Sequence, residues 1–447
     1  MSLALPSLRI LSRREQLRAL LTGWMPWVGK GSLAVLDQGF ISGSNFLIGV
    51  LLARWLVPEA YGAYAVAFSI FLFLSGFQNA LLLEPMSVFG PASYKDKLPA
   101  YLGKLLRLHF GLTFALALLL ALGTTCFLSF FANRAVPYAL FGAALATPWI
   151  LFLWLFRRSA YLELRPALAV RSAAAYCLVV LFLLFLSERL GWLSPFAAFL
   201  FQALASVAAG ALLLASIRPQ LVCIEPNPSM RIILNQHWKY GRWVAATTFV
   251  CWLSGGAYYV LVGALLRMEE VAALRALQNF VLPMTQFITA ISLLLLPWAS
   301  AQFAEQGGVQ FERNIRKISL LFFSGAAVYL VCIVLFGHRL METLYAGRYV
   351  QVAHLLPLAG LPLLIGAASQ GPGIALAAMQ APSKVFWGNA VAAAIAILVG
   401  VPLTHYRGLV GAMAAMVISS SAFFAVVVHY YKTSLRRVTD VEPVGKR

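Results

Sequence analysis

The residues of this chain best placed to do chemistry are polar groups set inside long apolar runs. Gln38, Ser42, Asn45 and Gly49 recur at spacings of 4, 3 and 4, which puts them on one helical face. A second stripe, Arg275, Asn279, Gln286 and Thr289, follows the same rule, and Pro283 within it predicts a kink. Three further arginines, Arg54, Arg171 and Arg242, stand at the ends of apolar runs. Amides, hydroxyls and guanidinium groups of this kind suit the capture of an anionic, hydrogen-bonding group. A cation about 4 Å from an anionic oxygen gains on the order of 4 kcal/mol at an effective dielectric near 20. Asp37 and Glu84 are the acids nearest the hydrocarbon. They suit an inner gate, paired with Arg242 or Lys104, or a site for a coupling proton or sodium ion. The proline of Glu84-Pro85 predicts a helix break where that carboxylate stands.

Each of these residues also has a plainer reading. Stripes of Gly, Ser and Asn serve close helix packing in membranes, and Arg171 and Arg242 can reach an interface by snorkelling. Arg54 is either an outer anchor or half of a gate with Glu59. Among these cations Arg275 fits packing least well.

The setting of these groups is lipid. Hydrophobic residues make up 61% of 447 and charged residues 11%, with a mean hydropathy of +0.83, outside the range of soluble domains. Twelve apolar runs are expected to cross the membrane, near 33–53, 60–83, 105–131, 135–156, 167–187, 193–217, 243–266, 271–303, 317–336, 350–380, 385–403 and 408–431. Before them, residues 1–32 carry Arg9, Arg13, Arg14 and Arg18 beside Trp24 and Trp27, the composition of a cytoplasmic interfacial helix.

With the N-terminus inside, the outer connections hold Arg54, Arg134, Arg189, Arg267, Arg275, Arg339, Arg348 and Arg407, and the other 26 of 34 basic residues fall inside. Both termini are therefore expected in the cytoplasm. The net charge of +19 reads as a topology signal, with no nucleic acid as partner. The five cysteines show neither a disulfide framework nor metal-ligand spacing. Six scattered histidines, short outer connections and the lack of a nucleotide-binding loop argue against an enzyme. No cofactor is expected.

The longest internal polar connection, 218–242, lies near the midpoint and reads as a cytoplasmic linker. It divides an N-terminal six-helix lobe, 33–217, from a C-terminal one, 243–431, ahead of a tail at 432–447. A shift of 212 residues aligns Ser254-Gly255 with Ser42-Gly43 and Pro297 with Pro85. The expected fold is therefore an all-α polytopic membrane protein, two six-helix lobes related by a pseudo-two-fold along the membrane normal. Substrate sites in such proteins lie between the lobes.

The run LLARWLVPEAYGAYAVA, with Arg54, Pro58, Glu59, Tyr61 and Gly62, resembles the first hairpin of polysaccharide and O-antigen flippases of the multidrug/oligosaccharidyl-lipid/polysaccharide exporter superfamily. The later ALAAMQAPSKVFWGNAVAAAIAILVGVPL, with Gly408 and Gly411, resembles the corresponding end of those transporters. The resemblance implies alternating-access movement of a polyprenyl-diphosphate-linked glycan across the bacterial cytoplasmic membrane. It also implies membrane lipids and a glycan polymerase or export machinery as partners. A cation-coupled multidrug antiporter of the same superfamily is the alternative, followed by a membrane polymerase or glycosyltransferase.

Overall fold

The computed structural model describes residues 13–130, 134–219 and 229–441, and among them the regular structure is helical. The N-terminal lobe comprises α1 (Arg13–Trp55), α2 (Pro58–Gln78), α3 (Glu84–Ser93), α4 (Leu98–Phe130), α5 (Ala135–Leu162), α6 (Pro166–Arg189) and α7 (Pro195–Ile217). The C-terminal lobe comprises α8 (Met230–Ser254), α9 (Ala257–Leu265), α10 (Met268–Tyr345), α11 (Leu356–Ala378), α12 (Pro382–Leu398) and α13 (Gly400–Val441). Nine described helices are long and apolar enough to cross a membrane, and α8 with α9, bent by 42°, makes a tenth. This is a multi-pass membrane protein. The first half of α10, diluted by Arg275 and its neighbours, and the shorter α12 occupy the two other positions expected to cross.

Although α10 runs 78 residues, the Tyr345 hydroxyl donates to the carbonyl of Ala276 at 2.9 Å. The chain of α10 therefore doubles back as two arms, 268–303 and 310–345. Near the end of the sequence, Gly408 takes φ +60°, which an L side chain tolerates poorly, and breaks α13 where the last run was expected to begin.

Three boundaries differ from expectation. The interfacial helix and first span form one continuous α1, because Gly29 and Gly31 weaken a helix without ending it; residues 1–12 lie outside the described part. The expected linker 218–242 is helical from Met230, where Ile233, His237 and Gly241 recur every fourth residue and are buried. Its residues 220–228 lie outside the described part. Pro85 does not break its helix either: a π-turn over Asn79–Leu83 absorbs it, and Glu84 stays helical at φ −67°, ψ −51°.

Two apolar cores show how the lobes meet. One runs through the N-terminal lobe and across into Met268, Val271, Ala272, Tyr345 and Leu356 of the C-terminal lobe. The other, with Ile288, Phe311, Ile315, Leu376 and Val427, belongs to the C-terminal lobe alone. The lobes are thus joined at the end that carries Arg54 and Met268, and again along α8, whose Ile233 belongs to the same core.

Candidate functional site

Along α2 the contact between lobes is continuous. At the Arg54 end Gly62 lies against the Met268 carbonyl, leaving no space for a Cβ. Midway, the Ser69 hydroxyl donates to the Gly256 carbonyl at 2.6 Å, and the Trp252 indole donates to the Ser69 carbonyl at 3.1 Å. At the far end His237 Nδ1 donates to the Leu81 carbonyl at 2.8 Å, while its Nε2 meets the Tyr101 hydroxyl at 2.8 Å. The acceptor there follows from the sequence, because Pro85 has no N–H to give to Leu81, four residues earlier.

Contact between α1 and α10 has a different form. Gly49 is buried against the Asn279 amide, and Arg54 donates to the Thr343 carbonyl at 3.3 Å. Arg348 donates to the Leu56 carbonyl beside them. Away from that end, Asn45 and Gln38 are exposed and Ser42 partly so, on the face that Gly49 buries. Gln286 and Thr289 are exposed as well; Gln286 lies seven residues from Asn279, on nearly the same face. Two faces that touch at one point and are both bare two turns later belong to helices that diverge. We take the exposed polar surface between α1 and α10 as a candidate cleft, with its apex at Gly49 and Asn279.

Arg275 and Asn279 form the apex with tyrosines that were not among the candidate site residues. Arg275 is 7% exposed, its guanidinium 5.0 Å from the ring centre of Phe68 and 5.7 Å from that of Tyr259, to whose hydroxyl Nη1 donates at 3.5 Å. Asn279 Nδ2 donates to the Tyr61 hydroxyl at 3.0 Å and reaches that of Tyr345 at 3.4 Å. Tyr61 stacks on Tyr64, and Tyr349 closes the group against both Tyr61 and Tyr345. Arg275 Nε and Asn279 Oδ1 are buried with no hydrogen-bond partner among the described residues. The legible signal was the aromatic spacing Tyr61, Tyr64, Phe68, one helical stripe that points at the partner lobe instead of lipid.

The structure does not bring the remaining candidates to this apex. Arg171 and Arg242 are exposed on α6 and α8, Arg242 lying 5.4 Å over the Trp243 ring. Arg54, expected as an outer anchor or as half of a gate with Glu59, bridges the lobes by donating to a backbone carbonyl. Asp37 is 2% exposed and holds neither Arg242 nor Lys104. It accepts from Arg157 at 2.7 and 3.2 Å and from the Tyr161 hydroxyl at 2.7 Å, a tie between α1 and α5 of one lobe. Glu84 is half-buried and accepts from Asn79 Nδ2 at 3.1 Å. Among the described residues no group of three or more metal-ligating side chains occurs.

The fold is that of a two-lobed helical membrane protein, and the candidate cleft lies between its halves. By sequence, no protein-family profile and no curated protein matches the chain. Solved structures do. An inward-facing multidrug-resistance MATE family transporter of the MOP superfamily superposes with TM-score 0.78 at 13% identity, over 92% of this chain and 99% of its own. The lipid II flippase MurJ, in an inward closed conformation, gives 0.70 at 12% identity, over 91% and 90%. An outward-facing MATE family transporter gives 0.64 at 13% identity, over 93% and 96%. The fold of this chain is that of the MOP-superfamily transporters.

Proposed function

We propose that this protein is a flippase that moves a lipid-linked oligosaccharide or polysaccharide precursor across the bacterial cytoplasmic membrane by alternating access. The observation that carries this reading is Arg275, a buried cation at the point where the lobes meet that has no carboxylate partner among the described residues. The stripes of Gln38, Ser42 and Asn45 and of Gln286 and Thr289 lead from an open cleft toward it. A sugar head on a diphosphate cannot cross about 30 Å of hydrocarbon unaided, since each unpaired polar group costs several kcal/mol there. The cleft gives the head amides and hydroxyls, the apex offers the diphosphate a cation, and the side open to the bilayer leaves the polyprenyl tail in lipid.

Taking the basic-residue distribution as the guide to orientation, the Arg54 end faces outward and the cleft faces the cytoplasm. The better superposition on the inward-facing than on the outward-facing relative supports that state. With Asp37 neutralised by Arg157, Glu84 is the carboxylate left to carry a coupling proton or sodium ion.

The similarity to a multidrug transporter keeps one competing reading in play, a cation-coupled drug antiporter. The sign of the apex favours the flippase, because a buried guanidinium repels cationic drugs. Reconstitution into liposomes decides between them. Flipping of a fluorescent polyprenyl-diphosphate glycan, lost in Arg275→Ala at equal protein level, supports the flippase. Ion-driven efflux of a cationic dye with no glycan flipping would overturn it.

A further inference from the structure

Outside the cleft, on the far side of the α2–α8 seam, lies a cavity of about 260 Å³ between α4, the π-turn and α8. Its walls are Leu81 and Leu82, Leu108 and Leu112, and Leu234 with Trp238. Leu234 and Trp238 are 54% and 56% exposed, so the cavity opens on an exposed apolar surface. Arg107, exposed, stands in the same lining. It lies one turn beyond Lys104 and within the stretch that also carries Lys95, Lys97, Arg231 and Lys239, where the chain concentrates its positive charge.

An apolar slot with a guanidinium at its edge matches one ligand chemistry available in the bilayer. We propose that this cavity binds an anionic phospholipid, its acyl chain between Leu108, Leu112 and Leu234 and its phosphodiester on Arg107. Drug-like cations are repelled by Arg107, and a glycan head finds on these walls, besides Arg107, only the Trp238 indole and the His237 imidazole, both of whose nitrogens are already engaged by Leu81 and Tyr101. The site is separate from the cleft and does not depend on what the cleft carries. Leu81, one wall of the slot, is the residue whose carbonyl accepts from His237, so a chain packed there braces the seam between the lobes.

Native mass spectrometry of the full-length protein in detergent, titrated with dioleoylphosphatidylglycerol or dioleoylphosphatidylcholine, tests the site. The wild type is expected to retain one phosphatidylglycerol with about fivefold preference over phosphatidylcholine, the effect of one basic residue near anionic lipid. Arg107→Gln brings the preference to near unity. Gly111→Leu fills the slot, since a Cβ on Gly111 meets nothing within 4 Å; it removes the retained lipid while thermal unfolding stays unchanged. Equal retention of the two lipids by the wild type overturns the proposal, and so does full retention of phosphatidylglycerol by Gly111→Leu. Dimers that form in place of lipid retention overturn it in favour of a second copy.

Discussion

Replacing Arg275 by methionine should separate stability from transport. Burial of a charge costs several kcal/mol even after the protein relaxes. Against this, the two rings at 5.0 and 5.7 Å return about 0.5 to 2 kcal/mol each. The one hydrogen bond, at 3.5 Å, is at the limit of a useful distance, and Nε has no partner among the described residues. The guanidinium is thus undercompensated in this conformation. Methionine keeps most of its length and packs well against aromatic rings. Buried charges exchanged for apolar groups of similar volume often leave stability unchanged or raise it by about 1 to 4 kcal/mol. Arg275→Met should therefore unfold at the wild-type temperature or above it in the same detergent. Glycan flipping in liposomes should fall by at least a factor of about 10, since the lost charge pair with a phosphate is worth up to about 4 kcal/mol. A variant that loses several kcal/mol of stability would show Arg275 to be a strut of the closed seam. One that flips at the wild-type rate would remove it from the substrate path.

Three other outcomes follow from the same geometry. Asp37→Asn should destabilise by about 3 to 5 kcal/mol, because it strands the largely buried Arg157, and Asp37→Asn with Arg157→Gln should recover most of the loss; unchanged melting of the single variant refutes the pairing. Gln286→Leu with Thr289→Val should leave melting within about 0.5 kcal/mol, as both are exposed, and slow flipping; an unaltered rate takes these residues out of the cleft. Cysteines at Arg54 and Thr343, joined by a short bismaleimide in a background without the native cysteines, should stop flipping by holding the Arg54 end shut, and continued turnover would rule out opening there.

What the sequence disclosed was what periodicity can carry. Gln38, Ser42 and Asn45 announce a polar face, and Arg275 and Asn279 announce another, because each stripe repeats within one helix. What stayed hidden depends on partners distant in the chain. Asp37 meets Arg157 across 120 residues, and no spacing rule reaches that far. Arg54 takes a backbone carbonyl, which carries no residue signature at all. The tyrosines were visible but ambiguous, since Tyr61 and Tyr64 near a helix start read equally as an interfacial aromatic belt. The first half of α8 reads as a linker because it belongs to the longest polar connection, with Pro219, Pro226 and Pro228 ahead of it, yet Ile233, His237 and Gly241, every fourth residue, are buried.

On the proposed reading, the unpaired charge at the apex sets the direction of the conformational balance. A guanidinium dry in one state and hydrated in the other disfavours the dry state, so the empty transporter is drawn toward opening its Arg54 end. Only a ligand that interacts differently with the two states can alter that balance. An anion that reaches Arg275 from the cleft does so, because it supplies the missing counter-charge while the seam is still closed. A neutral or cationic ligand of equal affinity for both states shifts nothing, however tightly it binds. Selectivity for a diphosphate then has its origin in the lack, among the described residues, of a carboxylate partner for Arg275.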